Sequence, residues 1–203
     1  MRGLYLVTPN WDDTAALVKA TEQALRAGAA LLQYRHKSAS AALRREQAAQ
    51  LLALCRDYQR PFIINDHLDL CVAIEADGVH VGGTDAGVAE ARRVLGGGKI
   101  VGASCYGDRQ LARDACANGA SYVAFGGFYP SKVKQYPVTT SQDIVSWAKD
   151  AIALPCVVIG GMTADNAAPL VARGADMVAA ISSVYGAPQI DVAVQDFARL
   201  FSQ

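Results

Sequence analysis

Short apolar runs alternate along the whole chain with longer segments in which apolar residues recur every three or four positions. The short runs are candidate strands, and they number eight: GLYLVT (3–8), ALLQYR (30–35), PFIIND (61–66), DGVHVG (77–82), KIVGAS (99–104), YVAFGG (122–127), PCVVIGG (155–161) and DMVAAIS (176–182). The longer segments are candidate helices, with examples at 41–58, 108–119 and 191–201. Alternation of apolar strands with helices predicts a parallel sheet that helices cover on both faces.

Eight such units favour an α/β fold with one closed (β/α)8 TIM barrel over residues 1–203 as a single domain. A doubly wound open sheet is the alternative. A Gly-Ala pair precedes three of the runs, at 28–29, 119–120 and 174–175. We expect each of these glycines to end the preceding helix in the left-handed conformation.

Composition excludes several classes of protein. Nineteen basic residues balance nineteen acidic ones, so we expect neither nucleic acid nor a membrane surface as a partner. The sequence contains no apolar stretch long enough for a membrane span and no signal peptide, and we therefore expect a cytoplasmic protein. The five cysteines show no Cys-x-x-Cys spacing, which argues against disulfides or a zinc site and predicts mostly buried thiols.

Polar residues follow the strands at their carboxyl ends, where parallel α/β folds bind their ligands. The third run ends on Asn65 and Asp66, and Asp85 follows the fourth. Two carboxylates at neighbouring strand ends suit a magnesium ion that substrate phosphates complete, although each aspartate is also a candidate helix cap. Arg35 and Lys37 alternate at the end of the second run, where both can face an anion or lie in solvent.

Other strand ends carry weaker signals. The pairs 160–161 (Gly-Gly) and 182–183 (Ser-Ser) follow the last two runs, where barrels often bind phosphate through backbone N–H groups; a tight turn is the alternative for the glycines. Lys134 lies in a loop that folds over a ligand or leaves the lysine solvated. His80 has apolar neighbours, and we interpret it as a core residue or a support for a site residue. Cys105 has no histidine partner recognisable in the sequence and is assigned no covalent role.

Six motifs at these strand ends occur in a specific order: LLQYRHK (31–37), FIINDHLDL (62–70), ADGVHVGGTD (76–85), VGASCY (101–106), YVAFGGFYPSKVK (122–134) and VVIGGMTADN (157–166). Together they resemble the thiamine phosphate synthase family over nearly the whole chain. The resemblance implies a transferase that joins 4-amino-2-methyl-5-hydroxymethylpyrimidine diphosphate to 4-methyl-5-(2-hydroxyethyl)thiazole phosphate, or to its carboxylated form. The products would be thiamine monophosphate and pyrophosphate, and the implied mechanism is dissociative, with the C–O bond to pyrophosphate breaking first.

The resemblance also implies roles for individual residues and Mg²⁺ as the cofactor. Asp66 and Asp85 would bind the metal. The implied contacts of the pyrimidine diphosphate are Gln33, Arg35, Lys37, Asn65, Ser104, Ser131 and Lys134. The implied contacts of the thiazole phosphate are Gly161, Ile181 and Ser182. Catalytic roles are implied for Arg35, Ser104 and Lys134.

Two motifs depart from the family pattern. Tyr34 and His36 replace Leu and Glu in Gln-Leu-Arg-Glu-Lys, and the usual Thr-x-Thr-Lys becomes Ser-Lys-Val-Lys at 131–134, so that Val133 lacks a hydroxyl. Two alternatives therefore stay open: a paralogue resembling the thiazole tautomerase, and a non-catalytic protein that binds thiamine precursors. The retained Asn65 and the aspartate pair argue against the tautomerase. A homo-oligomer is expected only because barrels commonly pair through their helices.

Overall fold

Eight parallel strands close into a barrel in which each strand pairs with the next one in sequence and the last pairs with the first. The computed structural model describes residues 1–82, 85–130 and 140–202, with the backbone alone at 85 and 86. The strands are β1 Gly3–Val7, β2 Leu31–Tyr34, β3 Phe62–Asn65, β4 Gly78–Val81, β5 Ile100–Tyr106, β6 Tyr122–Gly126, β7 Cys156–Ile159 and β8 Met177–Ala180. The predicted TIM barrel is therefore confirmed, and the open sheet is wrong.

Helices cover the outside of the barrel. They are α1 Thr14–Arg26, α2 Ala41–Asp57, α3 Leu68–Ala73, α4 Asp85–Leu95, α5 Arg109–Ala117, α6 Asp143–Ala151, α7 Ala164–Ala172, α8 Ser182–Tyr185 and α9 Ile190–Arg199. The glycines at 28, 119 and 174 have φ angles of 112°, 86° and 106° directly after α1, α5 and α7. The predicted left-handed helix ends are confirmed.

The strands are buried on both faces, which explains why their sequences read as apolar runs without polar alternation. In β1, Tyr5 and Val7 point into the barrel and pack with inward residues of the other strands, whereas Leu4 and Leu6 pack under the helices. Side chains of one strand alternate between these two environments because the pleat has a period of two.

The strand boundaries differ from the sequence prediction at some carboxyl ends. The seventh and eighth runs extend past β7 and β8, because the glycines 160–161 turn away from the sheet and Ser182 begins α8. Strand β5 is longer than predicted and contains Ser104 in its interior. Its register with β6 is irregular between Ser104 and Tyr106, where Tyr106 has φ 52°.

The prediction of mostly buried thiols is confirmed for four of the five cysteines. All five cysteines lie within the described residues and are free, and only Cys116 is not fully buried. Burial raises the pKa of Cys105 and Cys156 to about 12.

Over the ranges that the structure describes, we find no helix that combines the length and the apolar character needed to cross a membrane.

Candidate active site

A cavity of about 290 Å³ opens at the carboxyl ends of the strands. Apolar side chains from the barrel interior form its floor, including Val7, Val157 and Ala179. The cavity brings together seven of the site residues predicted from the sequence: Gln33, Arg35, Asn65, Ser104, Gly161, Ile181 and Ser182. They come from five strands or the turns after them, and only barrel closure places them around one space.

The Arg35 backbone is fastened by the residue that follows β1. The Arg35 N–H donates to Thr8 Oγ1 at 2.8 Å, and the Thr8 hydroxyl donates to the Arg35 carbonyl at 3.3 Å. Thr8 N–H in turn donates to the Gln33 carbonyl at 3.0 Å. Arg35 is only 8% exposed and lines the cavity, where an arginine can bind phosphate oxygens in a forked geometry.

The turn after β3 holds Asp66 in a left-handed conformation with φ 62°, which costs about 1 kcal/mol or more for a residue other than glycine. Asn65 Nδ2 donates to Asp66 Oδ2 at 2.7 Å, and the Asp66 N–H donates to the His80 carbonyl at 2.9 Å. The N-cap of α3 is His67, and no side-chain cap hydrogen bond is made there. Asp66 is exposed, follows the lining residue Asn65 and does not cap the helix.

The second predicted metal ligand is only partly described. Asp85 is the first residue of α4, the helix that follows the neighbouring strand β4. Its side chain lies outside the described residues. The described side chains contain no group of three or more His, Cys, Asp or Glu residues placed to hold a metal ion. Magnesium commonly takes one or two protein carboxylates and completes its shell with water and substrate phosphates, and an exposed aspartate at a strand end fits that donor set.

Ser104 and Gln33 are joined beneath the cavity by three side chains that the sequence did not single out together. Gln33 Nε2 donates to the Tyr5 hydroxyl at 2.6 Å, and the hydroxyls of Tyr5 and Tyr122 are 2.6 Å apart. His80 Nδ1 lies 2.8 Å from the Tyr122 hydroxyl, and His80 Nε2 lies 2.8 Å from Ser104 Oγ. Burial raises the pKa of both phenols far above the usual value, so both are protonated.

The turn after β7 approaches the backbone at Pro130 closely. Gly160 and Gly161 have φ angles of 109° and 64°, and a Cβ on Gly161 would overlap the Pro130 carbonyl. Asn166 Nδ2 donates to the Gly161 carbonyl at 2.9 Å, while Asn166 and Thr163 form the capping box that begins α7. The glycine pair is thus a tight turn and also part of the cavity wall.

The described lining of the cavity does not include the other five predicted site residues, which are Lys37, Asp66, Asp85, Ser131 and Lys134. Lys37 is exposed and does not line it; its backbone N–H donates to Asn10 Oδ1 at 3.3 Å. Ser131 and Lys134, like Val133, lie outside the described residues, so their roles stay predictions. The sequence also missed Tyr106, which lines the cavity and is 48% exposed.

Comparison with known proteins agrees with this geometry. A family model described as "Thiamine monophosphate synthase" matches residues 4–184. The chain belongs to this family. Thiamine-phosphate synthase of Janthinobacterium sp. (strain Marseille) is 64% identical over 203 residues, which cover 100% of this chain and 98% of that protein. The enzyme of the same name from Aromatoleum aromaticum is 45% identical over 201 residues, covering 99% and 97%.

Solved structures agree as well. Thiamine phosphate pyrophosphorylase from Pyrococcus furiosus has a TM-score of 0.84 at 29% identity and covers 98% of this chain and 94% of its own. A 3-hexulose-6-phosphate synthase, at 17% identity and a TM-score of 0.72 over 98% and 99% of the two chains, shares the fold alone. Membership of the thiamine monophosphate synthase family makes the chain a transferase that acts on small molecules, and its relatives support thiamine-phosphate synthase function.

Proposed function

We propose that the chain condenses 4-amino-2-methyl-5-hydroxymethylpyrimidine diphosphate with 4-methyl-5-(2-hydroxyethyl)thiazole phosphate, or its carboxylated form, to give thiamine monophosphate and pyrophosphate. The observation that carries the proposal is the cavity, because residues predicted for both substrates meet around it. Gln33, Arg35, Asn65 and Ser104 form one part of its wall, and Gly161 lies in another part. Two substrates bound in this way would face each other across the open end of the barrel.

The reaction would begin with heterolysis of the C–O bond between the pyrimidine methylene and the diphosphate. Negative charge grows on the departing diphosphate, and preorganised donors lower that barrier when they are aimed at the developing charge. Arg35 lines the cavity and would supply a cation, and the Ser104 hydroxyl lines the same space. The thiazole nitrogen then captures the methylene cation, so no strong general base is needed.

Asp66 and Asp85 would hold Mg²⁺, which would supply positive charge against the leaving diphosphate. The support for this assignment is the exposed Asp66, which follows the lining residue Asn65 and has a left-handed backbone. Lys134 and Ser131 would add further contacts to the diphosphate from their loop. The free cysteines fit the reducing cytoplasm, which we propose as the location.

Asp66→Asn tests the function and the metal assignment together. Asparagine keeps the size of the side chain and tolerates the left-handed conformation, so the variant should fold while losing the charge. We expect pyrophosphate release by the wild type to require both substrates and magnesium. Release by Asp66→Asn should fall about 100-fold, the size of effect seen when one group that stabilises transition-state charge is removed.

The matched control is Asp69→Asn, which neutralises another exposed aspartate three positions away, in the first turn of α3 and outside the cavity lining. It should release pyrophosphate at the wild-type rate. A wild-type chain that binds both substrates but releases nothing would contradict the synthase assignment and favour a binding protein. Proton exchange on thiazole phosphate without condensation would instead favour the tautomerase alternative.

A further inference from the structure

The four hydrogen bonds beneath the cavity form one continuous path from Gln33 to Ser104. Its middle members, Tyr5, Tyr122 and His80, are almost entirely buried in the barrel interior, where branched apolar residues normally fill the layers. Burying phenols at these positions is unfavourable unless their hydroxyls are hydrogen bonded. Apolar side chains would fill this space at a lower desolvation cost, so we expect the three polar side chains to have a role in the site.

Strand register explains how the path forms. His80 of β4 is level with Gly102 of β5, and Gly102 is level with Tyr122 of β6. A Cβ on Gly102 would overlap the phenol of Tyr122, so the glycine provides the space in which Tyr122 reaches His80 across the intervening strand. The rings of His80 and Tyr122 stack with their centroids 5.6 Å apart. The rings of Tyr5 and Tyr122 meet edge-on with their centroids 5.8 Å apart. These contacts hold the path in one geometry.

The path can run in two directions, because either phenol can be the donor between Tyr5 and Tyr122. In one direction, Tyr5 accepts from Gln33 Nε2 and donates its own proton to Tyr122. Tyr122 then donates its proton to His80 Nδ1. A neutral imidazole that accepts at Nδ1 carries its proton on Nε2, and Nε2 therefore donates to Ser104 Oγ.

The two ends of the path are thereby coupled. Because Ser104 Oγ accepts from His80, its own proton is available to donate into the cavity. Because Gln33 uses an N–H toward Tyr5, its carbonyl oxygen is available to accept. In the opposite direction, Ser104 would donate to His80, and Gln33 would turn its carbonyl toward Tyr5. A reversal along all four hydrogen bonds therefore changes Ser104 and Gln33 together.

We propose that Tyr5, Tyr122 and His80 are positioning residues that set the hydrogen-bonding direction of Ser104 and Gln33 together. Ser104 then presents a donor to an oxygen that gains negative charge as the C–O bond breaks. Gln33 presents an acceptor to an N–H group of an aminopyrimidine. This inference rests on the proposed function, because it assigns a purpose to two proposed substrate contacts.

The direction is measurable without substrate. The chain has three histidines, at 36, 67 and 80, so ¹⁵N-histidine labelling gives three ring systems that His36→Gln and His67→Gln assign. Two-bond ¹H–¹⁵N correlation spectra at neutral pH should show the His80 ring of the free protein as the Nε2–H tautomer. In Tyr122→Phe, the donor to Nδ1 is gone and the ring ¹⁵N shifts should move. An Nδ1–H tautomer in the wild type would overturn the proposed direction.

Kinetics test the positioning role. We expect Tyr122→Phe to lower kcat about tenfold with KM within about threefold, because the lost hydrogen bond acts on the transition state through Ser104. The matched control is Tyr185→Phe, which removes another buried hydroxyl, 2.8 Å from Thr21 Oγ1 and outside the cavity lining. The control should keep its wild-type kcat.

Equal kcat values for Tyr122→Phe and Tyr185→Phe would reduce the path to a structural element and overturn the proposal. The two measurements also separate this inference from the proposed function. If the wild type fails to condense the substrates, the function is wrong, while the histidine spectra still decide the direction of the path. If the wild type turns over and His80 shows the opposite tautomer, the function stands and the inference fails.

Discussion

Replacing Thr8 by valine removes a hydroxyl that makes two hydrogen bonds to the backbone of Arg35. Valine has nearly the same shape, so the loss is almost purely one of hydrogen bonding. Thr8 is completely buried, and the substitution removes both of these hydrogen bonds. Each buried hydrogen bond contributes about 0.5–1.5 kcal/mol, so the loss of two costs about 1–3 kcal/mol, which in a chain of this size lowers Tm by about 2–4 °C for each kcal/mol.

The same change should affect turnover more than stability. Without its anchor the backbone of Arg35 can shift, and a displacement of about 1 Å in a positioning group is enough to cost up to about 100-fold in rate. We expect kcat/KM for pyrophosphate release to fall at least about tenfold at a temperature where the variant remains folded. Thr8→Ser restores the hydroxyl and should recover most of the activity.

Thr21→Val is the matched control for this prediction. Thr21 is also completely buried, donates to the Leu17 carbonyl at 2.7 Å and lies 2.8 Å from the Tyr185 hydroxyl, away from the cavity. It should lose comparable stability in a urea titration and keep its kcat/KM. If Thr8→Val is destabilised like the control but retains wild-type kcat/KM, then the position of Arg35 does not depend on Thr8 and the reasoning is refuted.

Two further predictions concern the glycine turn and the thiols. Gly161→Ala places a Cβ against the Pro130 carbonyl at φ 64°, so calorimetry should show thiazole phosphate binding weakened by about 1–3 kcal/mol; Gly97→Ala, which meets open space, should bind normally. Burial raises the pKa of Cys105 and Cys156 from 9.0 to about 12. A raised folded-state pKa gives stability that is complete below pH 9 and is lost as the pH rises toward 12, at about 1.4 kcal/mol per thiol and pH unit. Urea titrations between pH 8 and 10 check the slope, and a stability independent of pH would contradict it.

The strands and their order could be predicted because burial on both faces is a local property of each strand. Every strand of the barrel interior needs apolar residues at successive positions, so each one appears in the sequence as a short apolar run. The count of eight then favoured a closed barrel. The candidate site followed from the same rule, since the carboxyl ends of parallel strands share one edge, and Arg35, Asn65 and Ser104 do line one cavity.

The alternation of side chains along a strand did not predict the position of Lys37 correctly. The sequence pattern put Arg35 and Lys37 on one side, but β2 ends at Tyr34, and beyond it the backbone no longer alternates as a strand. The Lys37 N–H is fastened to Asn10 of the preceding loop, and the side chain is exposed. Contacts between loops decide where a chain leaves its sheet. The two-residue periodicity of a strand does not encode those contacts.

What the sequence determined by itself is the set of elements, their order and the edge at which polar residues collect. What only the tertiary structure decided is the path beneath that edge. Tyr5 and Tyr122 are members of two apolar runs 117 positions apart, and nothing in either run shows that their hydroxyls lie within 2.6 Å. Barrel closure turns inward positions of separate strands toward a common axis, and the absent side chain of Gly102 opens the space in which Tyr122 meets His80. Such contacts depend on register and closure across the whole sheet, so local periodicity carries no record of them.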